Sequence, residues 1–163
     1  MKKDTVHKYL SYRNCAYTLI ELLVGISIIS IVFSVGFASY RDFSRRQALS
    51  GVTKALISDL RLIQQKALAG EKIGSCTTLD GYKINISSAS YSLYADCASD
   101  ILLKTVDLTA NEVALTTSPV TSSITFKVLG QGTNLTSEVI ITMTNSKINK
   151  QSTVTVGKGG DVK

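Results

Sequence analysis

Glu21 is the residue whose surroundings most clearly indicate a functional contact, because it is the only charged residue between positions 16 and 40. An ionised side chain inside a bilayer costs about 2.5 to 3.5 kcal/mol on insertion scales, so a carboxylate in such a run needs a group that neutralises it. The least costly source of that group is a partner subunit. The sequence therefore predicts that Glu21 makes a contact between subunits.

The uncharged run that follows Glu21 has the length of a membrane span. Residues 22–40 contain no charge and are rich in Ile, Val and Leu. At about 1.5 Å per residue, a helix of this length crosses a hydrocarbon core about 30 Å thick. Residues 1–16 carry four basic residues against one acid. The positive-inside rule places that segment in the cytoplasm and the C-terminal part outside, which predicts a single-pass protein of the inner or cytoplasmic membrane in contact with lipid.

Cys76 and Cys97 lie in the part of the chain that this topology exports. They enclose a predicted hairpin, and an oxidising exterior permits a disulfide between them. Closing such a loop would contribute about 3 kcal/mol in the chain-entropy model. Two free, buried thiols are the alternative.

The N-terminal pattern resembles a known signal. A short basic segment ending in a small residue precedes an aromatic residue, the stretch Thr-Leu-Ile-Glu-Leu-Leu-Val and an apolar helix. This is similar to the class III signal of type IV prepilins and type II secretion pseudopilins. The resemblance implies that a prepilin peptidase cuts between Ala16 and Tyr17 and that Tyr17 is N-methylated. It also implies that Glu21 attracts the free amino terminus of a neighbouring pilin or pseudopilin subunit during filament assembly.

Two simpler interpretations of the N-terminus are a secretory signal and a plain signal anchor. A secretory signal has an apolar region of about 7 to 15 residues and a small-residue cleavage site, which Gly36-Phe37-Ala38 imitates. The apolar run here is longer and contains Glu21, which favours the prepilin interpretation.

Apolar residues continue beyond the span at helical spacing, which predicts an amphipathic helix over residues 41–70 that ends at Gly70. Its apolar stripe comprises Phe43, Leu49, Val52, Leu56, Leu60, Ile63 and Ala67. The opposite face is predicted to carry Arg41, Arg45, Arg46, Lys54, Arg61 and Lys66 with Asp42 and Asp59.

From position 73 the composition changes to β-branched residues, Ser, Thr and turn residues. Alternation such as Ile124, Phe126 and Val128 against Thr125 and Lys127 predicts an antiparallel sheet with one covered face. The predicted strands are 82–87, 90–95, 102–108, 113–117, 124–129, 139–144 and 153–156. The predicted turns are Asp80-Gly81, Ser88-Ala89, Gly130-Gln131-Gly132 and Asn145-Ser146-Lys147.

The C-terminal half also resembles the minor pseudopilins of the GspH/FimT type. The shared pattern is Phe126 and Gly130 at the end of one strand, an apolar strand at 139–141, and a last strand followed by Gly160. DNA-binding members end in a Gly-Arg-rich motif, whereas this chain ends Gly-Gly-Asp-Val-Lys. Four lysines near the end of the sequence form a basic cluster that could still attract DNA or another anionic polymer weakly: Lys147, Lys150, Lys158 and Lys163.

The predicted mature chain shows no motif typical of a catalytic site. The only histidine, His7, lies in the predicted leader, which excludes a histidine triad or histidine metal site after cleavage. Residues 157–160, Gly-Lys-Gly-Gly, lack the spacing and the following helix of a phosphate loop. Asp96 and Asp100 are predicted to decorate a solvated loop. We therefore expect neither an enzyme nor a bound metal or cofactor.

These observations predict an α+β protein with a pilin-like architecture, a long N-terminal helix packed on an antiparallel β-sheet head. The predicted divisions are a leader (1–16), a transmembrane and assembly half of the helix (17–40), an amphipathic half (41–70) and the head (71–163). The predicted function is that of a structural minor pilin or pseudopilin. The alternatives are a DNA-uptake or adhesive minor pilin, and a membrane-anchored or secreted β domain unrelated to filaments.

Overall fold

The computed structural model describes residues 17–74 and 76–163 of the chain. Within these ranges one helix precedes seven strands: α1 (Leu19–Ala69), β1 (Leu79–Ile86), β2 (Ser90–Cys97), β3 (Ile101–Asp107), β4 (Val113–Ser118), β5 (Ser123–Lys127), β6 (Val139–Asn145) and β7 (Lys150–Val156). The predicted α+β class is confirmed, and each predicted strand is present with ends within three residues of the prediction.

Both ends of α1 follow from local residue chemistry. The helix begins after Thr18, whose hydroxyl accepts a hydrogen bond of 3.3 Å from the backbone N–H of Glu21. Threonine is a favoured N-cap because its side-chain oxygen satisfies one of the free N–H groups of the first turn. The helix ends at Ala69, and Gly70 follows it with a φ of 61°, the left-handed conformation that glycine adopts without strain.

The seven strands form two antiparallel sheets, where the alternation had predicted one. The first sheet has the order β3-β2-β1-β5 and the second the order β4-β6-β7. Sequence periodicity reports which face of a strand is buried but not which strands pair, so it did not separate the two sheets.

One predicted turn was wrong. Asp80 and Gly81 lie inside β1, which has an irregular register between Leu79 and Gly81 against β2. A side chain at Gly81 would collide with the backbone carbonyl oxygen of Phe126 in β5. The glycine therefore permits two strands to approach closely, which is a different use of glycine from the turn that the dipeptide suggested.

The second half of α1 supplies one side of the hydrophobic core. Six of the seven predicted stripe residues are buried: Leu49, Val52, Leu56, Leu60, Ile63 and Ala67. They belong to one core cluster with residues from both sheets, including Tyr82, Ile84, Ile141 and Met143. Phe43 was predicted in this stripe, but its side chain is 59% exposed. Burial of a leucine or isoleucine side chain contributes about 1.5 to 3 kcal/mol, so this stripe is a major source of stability.

The chain divides into two compact units, one ending at Tyr40 and the other comprising residues from Arg41 to Lys163. Helix α1 contributes to both units. The first unit contains the predicted contact residue Glu21, and the second contains the core, the disulfide and the two sheets.

Candidate assembly site

The first half of α1 presents a mostly apolar surface to the surroundings. Where burial is described, the large apolar residues of this half are at least 48% exposed: Leu19, Ile20, Leu22, Leu23, Val24, Ile26, Ile28, Ile29, Ile31, Val32, Phe33, Phe37 and Tyr40. An 18-residue window of the helix has a mean hydropathy of 2.4. By length and composition, α1 is long and apolar enough to cross a membrane.

Three of the four serines of this half donate hydrogen bonds to backbone carbonyl oxygens of the helix. Ser27 donates to the carbonyl oxygen of Leu23 at 2.9 Å, and Ser30 donates to that of Ile26 at 2.8 Å. Ser34 donates to the carbonyl oxygen of Ser30 at 2.8 Å. Lipid offers no hydrogen bonds, so a spanning helix must satisfy its polar groups internally. These serines are therefore compatible with a hydrocarbon environment.

Glu21 differs from these serines because its carboxylate has no partner among the described residues. The side chain is exposed on the first turn of α1. Within residues 17–74 and 76–163, no hydrogen bond or ion pair reaches its carboxylate oxygens. The first turn is favourable for an anion, since the helix dipole places partial positive charge there. The arrangement leaves a carboxylate at the start of an apolar helix, where a cation from outside the described chain can reach it.

The predicted cleavage point lies at the border of the described chain. Tyr17 is 78% exposed and precedes the helix by two residues. Ala16 and the predicted leader, with His7, lie outside the described residues, so the cut between Ala16 and Tyr17 and the methylation of Tyr17 stay predictions.

Asp59 provides a contrast within the same helix. It was predicted on the solvated face, but only 6% of it is exposed. The hydroxyl of Tyr91 donates to Asp59 Oδ2 at 2.8 Å, and Lys104 Nζ donates to Oδ1 at 2.9 Å and to Oδ2 at 2.8 Å. Burial, together with the neighbouring carboxylate, raises the pKa of Tyr91 well above its ordinary value. A signal was available, because Asp59 lies three residues after Leu56 and four before Ile63, within the buried stripe.

Cys76 and Cys97 form a disulfide, with their Cα atoms 5.7 Å apart. The bond links the segment that follows α1 to the last residue of β2. The predicted pairing of these two residues is therefore present in the structure, and the alternative of two free thiols is not.

The nearby acids were misread. Asp96 and Asp100 do not simply decorate a loop, since Lys83 Nζ lies 3.2 Å from Asp96 Oδ1 and 2.6 Å from Asp100 Oδ2. The hydrogen bond with Asp100, outweighing the opposing effect of burial, raises the pKa of Lys83. Lys83 lies on β1 and is separated from both acids in sequence, so this pairing was not recognised from the sequence.

The predicted C-terminal basic cluster lies on the surface. Lys147, Lys150, Lys158 and Lys163 are all exposed. Lys163 pairs with Asp161 at 3.1 Å, which removes one charge from the cluster. Among the residues described, no group of three or more His, Cys, Asp or Glu side chains is arranged to hold a metal ion.

Comparisons with known proteins agree with these features. The pattern of the family described as "Prokaryotic N-terminal methylation motif" matches residues 12–37. The chain is 30% identical over 96 residues to prepilin peptidase-dependent protein D of Escherichia coli (strain K12). That alignment covers 59% of this chain and 63% of the relative, so the matched part spans less than two thirds of the relative's length.

The structure is similar to that of the type IV minor pilin FimU of Pseudomonas aeruginosa. The TM-score is 0.54 at 12% sequence identity, and the match covers 71% of this chain and 90% of FimU. At this identity the likeness establishes the fold alone. The chain thus has a minor-pilin-like fold and carries a prepilin-type methylation motif.

Proposed function

We propose that this chain is a minor structural subunit of a type IV pilus or of a type II secretion pseudopilus. In this proposal residues 1–40 act before and during assembly, and the head is carried into the filament by α1. The observation that carries the proposal is the exposed apolar helix whose first turn holds a carboxylate, Glu21, that pairs with no residue in the described part of the chain. A protein of this design has a mechanical role, and its partners are a prepilin peptidase and other subunits.

The proposed maturation has two steps. The peptidase hydrolyses the peptide bond between Ala16 and Tyr17 on the cytoplasmic side of the inner membrane, which leaves a free amine on Tyr17. The same amine is then N-methylated. The match of the methylation motif to residues 12–37 supports both steps, because it spans this bond and the start of the helix.

Glu21 is proposed to bind the positively charged amino terminus of a neighbouring subunit. Before assembly, the carboxylate at the head of an apolar helix is costly to keep in a bilayer. A pair between this carboxylate and the amine of a second subunit reduces that cost, and in the uncleaved chain no described residue supplies a cation to Glu21. The pair would therefore favour subunits placed in one register along the filament.

Mass spectrometry of the chain purified from membranes tests the proposed maturation. With an active prepilin peptidase, we expect a chain that starts at Tyr17 and carries one added methyl group. A host that lacks the peptidase should yield the intact chain. An Ala16→Leu variant, with a bulky residue before the cut, should stay uncut, whereas Ala16→Gly should be processed. An intact wild-type chain, or one cut after Ala38, would contradict the proposal.

A further inference from the structure

The outer edge of β7 is only partly covered. In its sheet β7 pairs with β6 along one side. On the other side the backbone N–H of Thr155 donates to the carbonyl oxygen of Lys163, and the N–H of Lys163 donates back to Thr155, both at 3.0 Å. Val162 also forms a bridge with Val156. The C-terminal residues thus already lie antiparallel against one end of this edge.

The rest of the edge has unpaired backbone groups. Hydrogen-bonding direction alternates along an antiparallel strand, so the outward groups of Thr155 imply outward groups at Thr153 and Gln151. The register between β6 and β7 is regular over this stretch. Within the described chain, no outward hydrogen bond involves the backbone of Gln151 or Thr153. Such an edge is a template for a further strand.

A basic groove runs beside this free edge, between α1 and β7. It has a volume of about 330 Å³, and its lining includes Arg46, Lys54 and Lys150 but no Asp or Glu. All three basic residues are exposed. In the part of the chain that the structure describes, no carboxylate oxygen lies within 4.0 Å of their side-chain nitrogens. The groove therefore holds three cations without internal counterions.

The pleat of β7 places this charge where an added strand would meet it. Val154 and Val156 are buried against the core, so Ser152 and Lys150, at the same parity, project toward the side of the sheet that α1 covers. A strand added to the edge would direct every second side chain to that side. Those side chains would lie near Arg46, Lys54 and Lys150, which favour carboxylates.

We propose that the free edge of β7 binds an extended acidic segment of a partner protein by strand addition. The segment runs antiparallel to β7 and continues the line begun by Val162 and Lys163. Its backbone pairs with Gln151 and Thr153, and its alternate Asp or Glu side chains meet the basic groove. A polypeptide fits better than a nucleic acid or a lipid surface, because main-chain donors and acceptors at strand spacing recognise another backbone. The inference does not depend on the proposed filament role.

Fluorescence anisotropy with a labelled synthetic peptide tests this inference on the full chain in detergent micelles. The probe is an acetylated peptide in which Glu alternates with Val and Thr. Replacement of Arg46, Lys54 or Lys150 by Gln should weaken binding by about two- to fivefold each, since exposed ion pairs are modest. Lys147→Gln is the matched control, because Lys147 is exposed beside β7 and does not line the groove. Its binding should equal that of the wild type.

Two further probes separate strand addition from general attraction of anions, and both use the unmodified protein. One peptide is N-methylated at its odd amides and the other at its even amides, which removes backbone donors from opposite edges. One of them should lose binding by more than tenfold while the other retains it, and exchange of the Gln151 and Thr153 amides should slow in the complex. Equal binding of both peptides would overturn the inference. So would an oligonucleotide of equal charge that binds as tightly and depends on the same three residues.

Discussion

The two halves of α1 differ in the partners that they provide for a carboxylate. Glu21 lies within the apolar run of the first half, and Asp59 lies within the buried apolar stripe of the second half. Asp59 is buried and receives hydrogen bonds from Tyr91 and Lys104 of the same chain. Glu21 is exposed and receives none from the described chain.

The difference shows where each half finds its partners. In the second half the apolar stripe and the carboxylate are both satisfied by the head, so this half completes a folded domain. In the first half three serines are bonded within the helix, the apolar side chains are exposed, and the Glu21 carboxylate has no partner among the described residues. We propose that this half lies in a membrane first and contacts other subunits afterwards.

Truncation of an apolar side chain to alanine should give the largest difference in stability between the two halves of α1. Leu60 is fully buried, whereas the Ile28 side chain is 58% exposed. We expect Leu60→Ala to lower the free energy of unfolding of the head by about 2 to 5 kcal/mol. Ile28→Ala should change it by less than about 0.5 kcal/mol. Urea unfolding of the full chain in detergent, followed by the near-ultraviolet circular dichroism of tyrosine, measures both. Similar losses would break the proposed division of the helix.

Loss of the disulfide should also weaken the head alone. Replacing Cys76 and Cys97 by Ser should cost about 3 kcal/mol in the chain-entropy model and should leave membrane insertion unchanged. Before that measurement, a thiol count under denaturing, non-reducing conditions checks the bond in the wild type. The mature chain should show no reactive thiol, and an uncleaved chain should show one, from Cys15. Two reactive thiols in the mature chain would exclude the disulfide.

Removing the lysine partner of Asp59 should lower the stability of the head, whereas a change at Glu21 should not. Lys104→Gln leaves a largely buried carboxylate with the Tyr91 hydroxyl only, so we expect a loss of about 1 to 3 kcal/mol in head stability. Lys158→Gln, a change at an exposed lysine, and Glu21→Gln should each alter stability by less than about 0.5 kcal/mol. The same urea titrations give all three values. A large effect of Glu21→Gln on the head would mean that its carboxylate has a partner in the chain.

Alkaline pH should weaken the second half through Tyr91, with the smallest effect of the series. Its pKa is raised in the folded state, so its contribution to stability is fully present below the unfolded pKa of about 10 and is lost as pH rises above that value. The free energy of unfolding should fall by up to about 1.4 kcal/mol per pH unit for this group. Urea titrations between about pH 8 and 11 measure the fall.

Tyr91→Phe is the control for the alkaline effect, because it removes the ionising hydroxyl and keeps the ring. The decline above pH 10 should be smaller in this variant. A part should persist, because Tyr82 and Lys83 also have raised pKa values and act in the same direction. An unchanged decline in Tyr91→Phe would show that Tyr91 is not linked to folding in this way.

Local sequence rules predicted the elements of the fold because each rule acts over a few residues. Spacings of three and four located the stripe from Leu49 to Ala67, and glycine chemistry located the helix end at Gly70. Alternation located the strands. The prediction that Phe43 belongs to the buried stripe was wrong. The six-residue step from Phe43 to Leu49 already breaks the helical spacing of three and four.

Long-range partners were beyond the reach of those rules. Asp59 and Lys104 are 45 residues apart in sequence, and the local spacing around either residue does not indicate that they pair. The same holds for the separation of the strands into two sheets and for the close approach of Gly81 to Phe126. In the candidate site, by contrast, the role of Glu21 could be predicted from sequence because it depends on the absence of charge among its immediate neighbours, and that role stays a prediction.

The incorporation of Glu21→Ala into filaments tests the central claim most directly. The measurement compares the amount of the chain in sheared filaments with the amount in membranes, by immunoblot, for wild type, Glu21→Ala and Asp42→Ala. Asp42 is an exposed acid on the same helix beyond Tyr40 and serves as the matched control. We predict wild-type membrane levels for all three, with Glu21→Ala alone absent from the filaments. Entry of Glu21→Ala into filaments at the wild-type level would contradict the role proposed for this carboxylate.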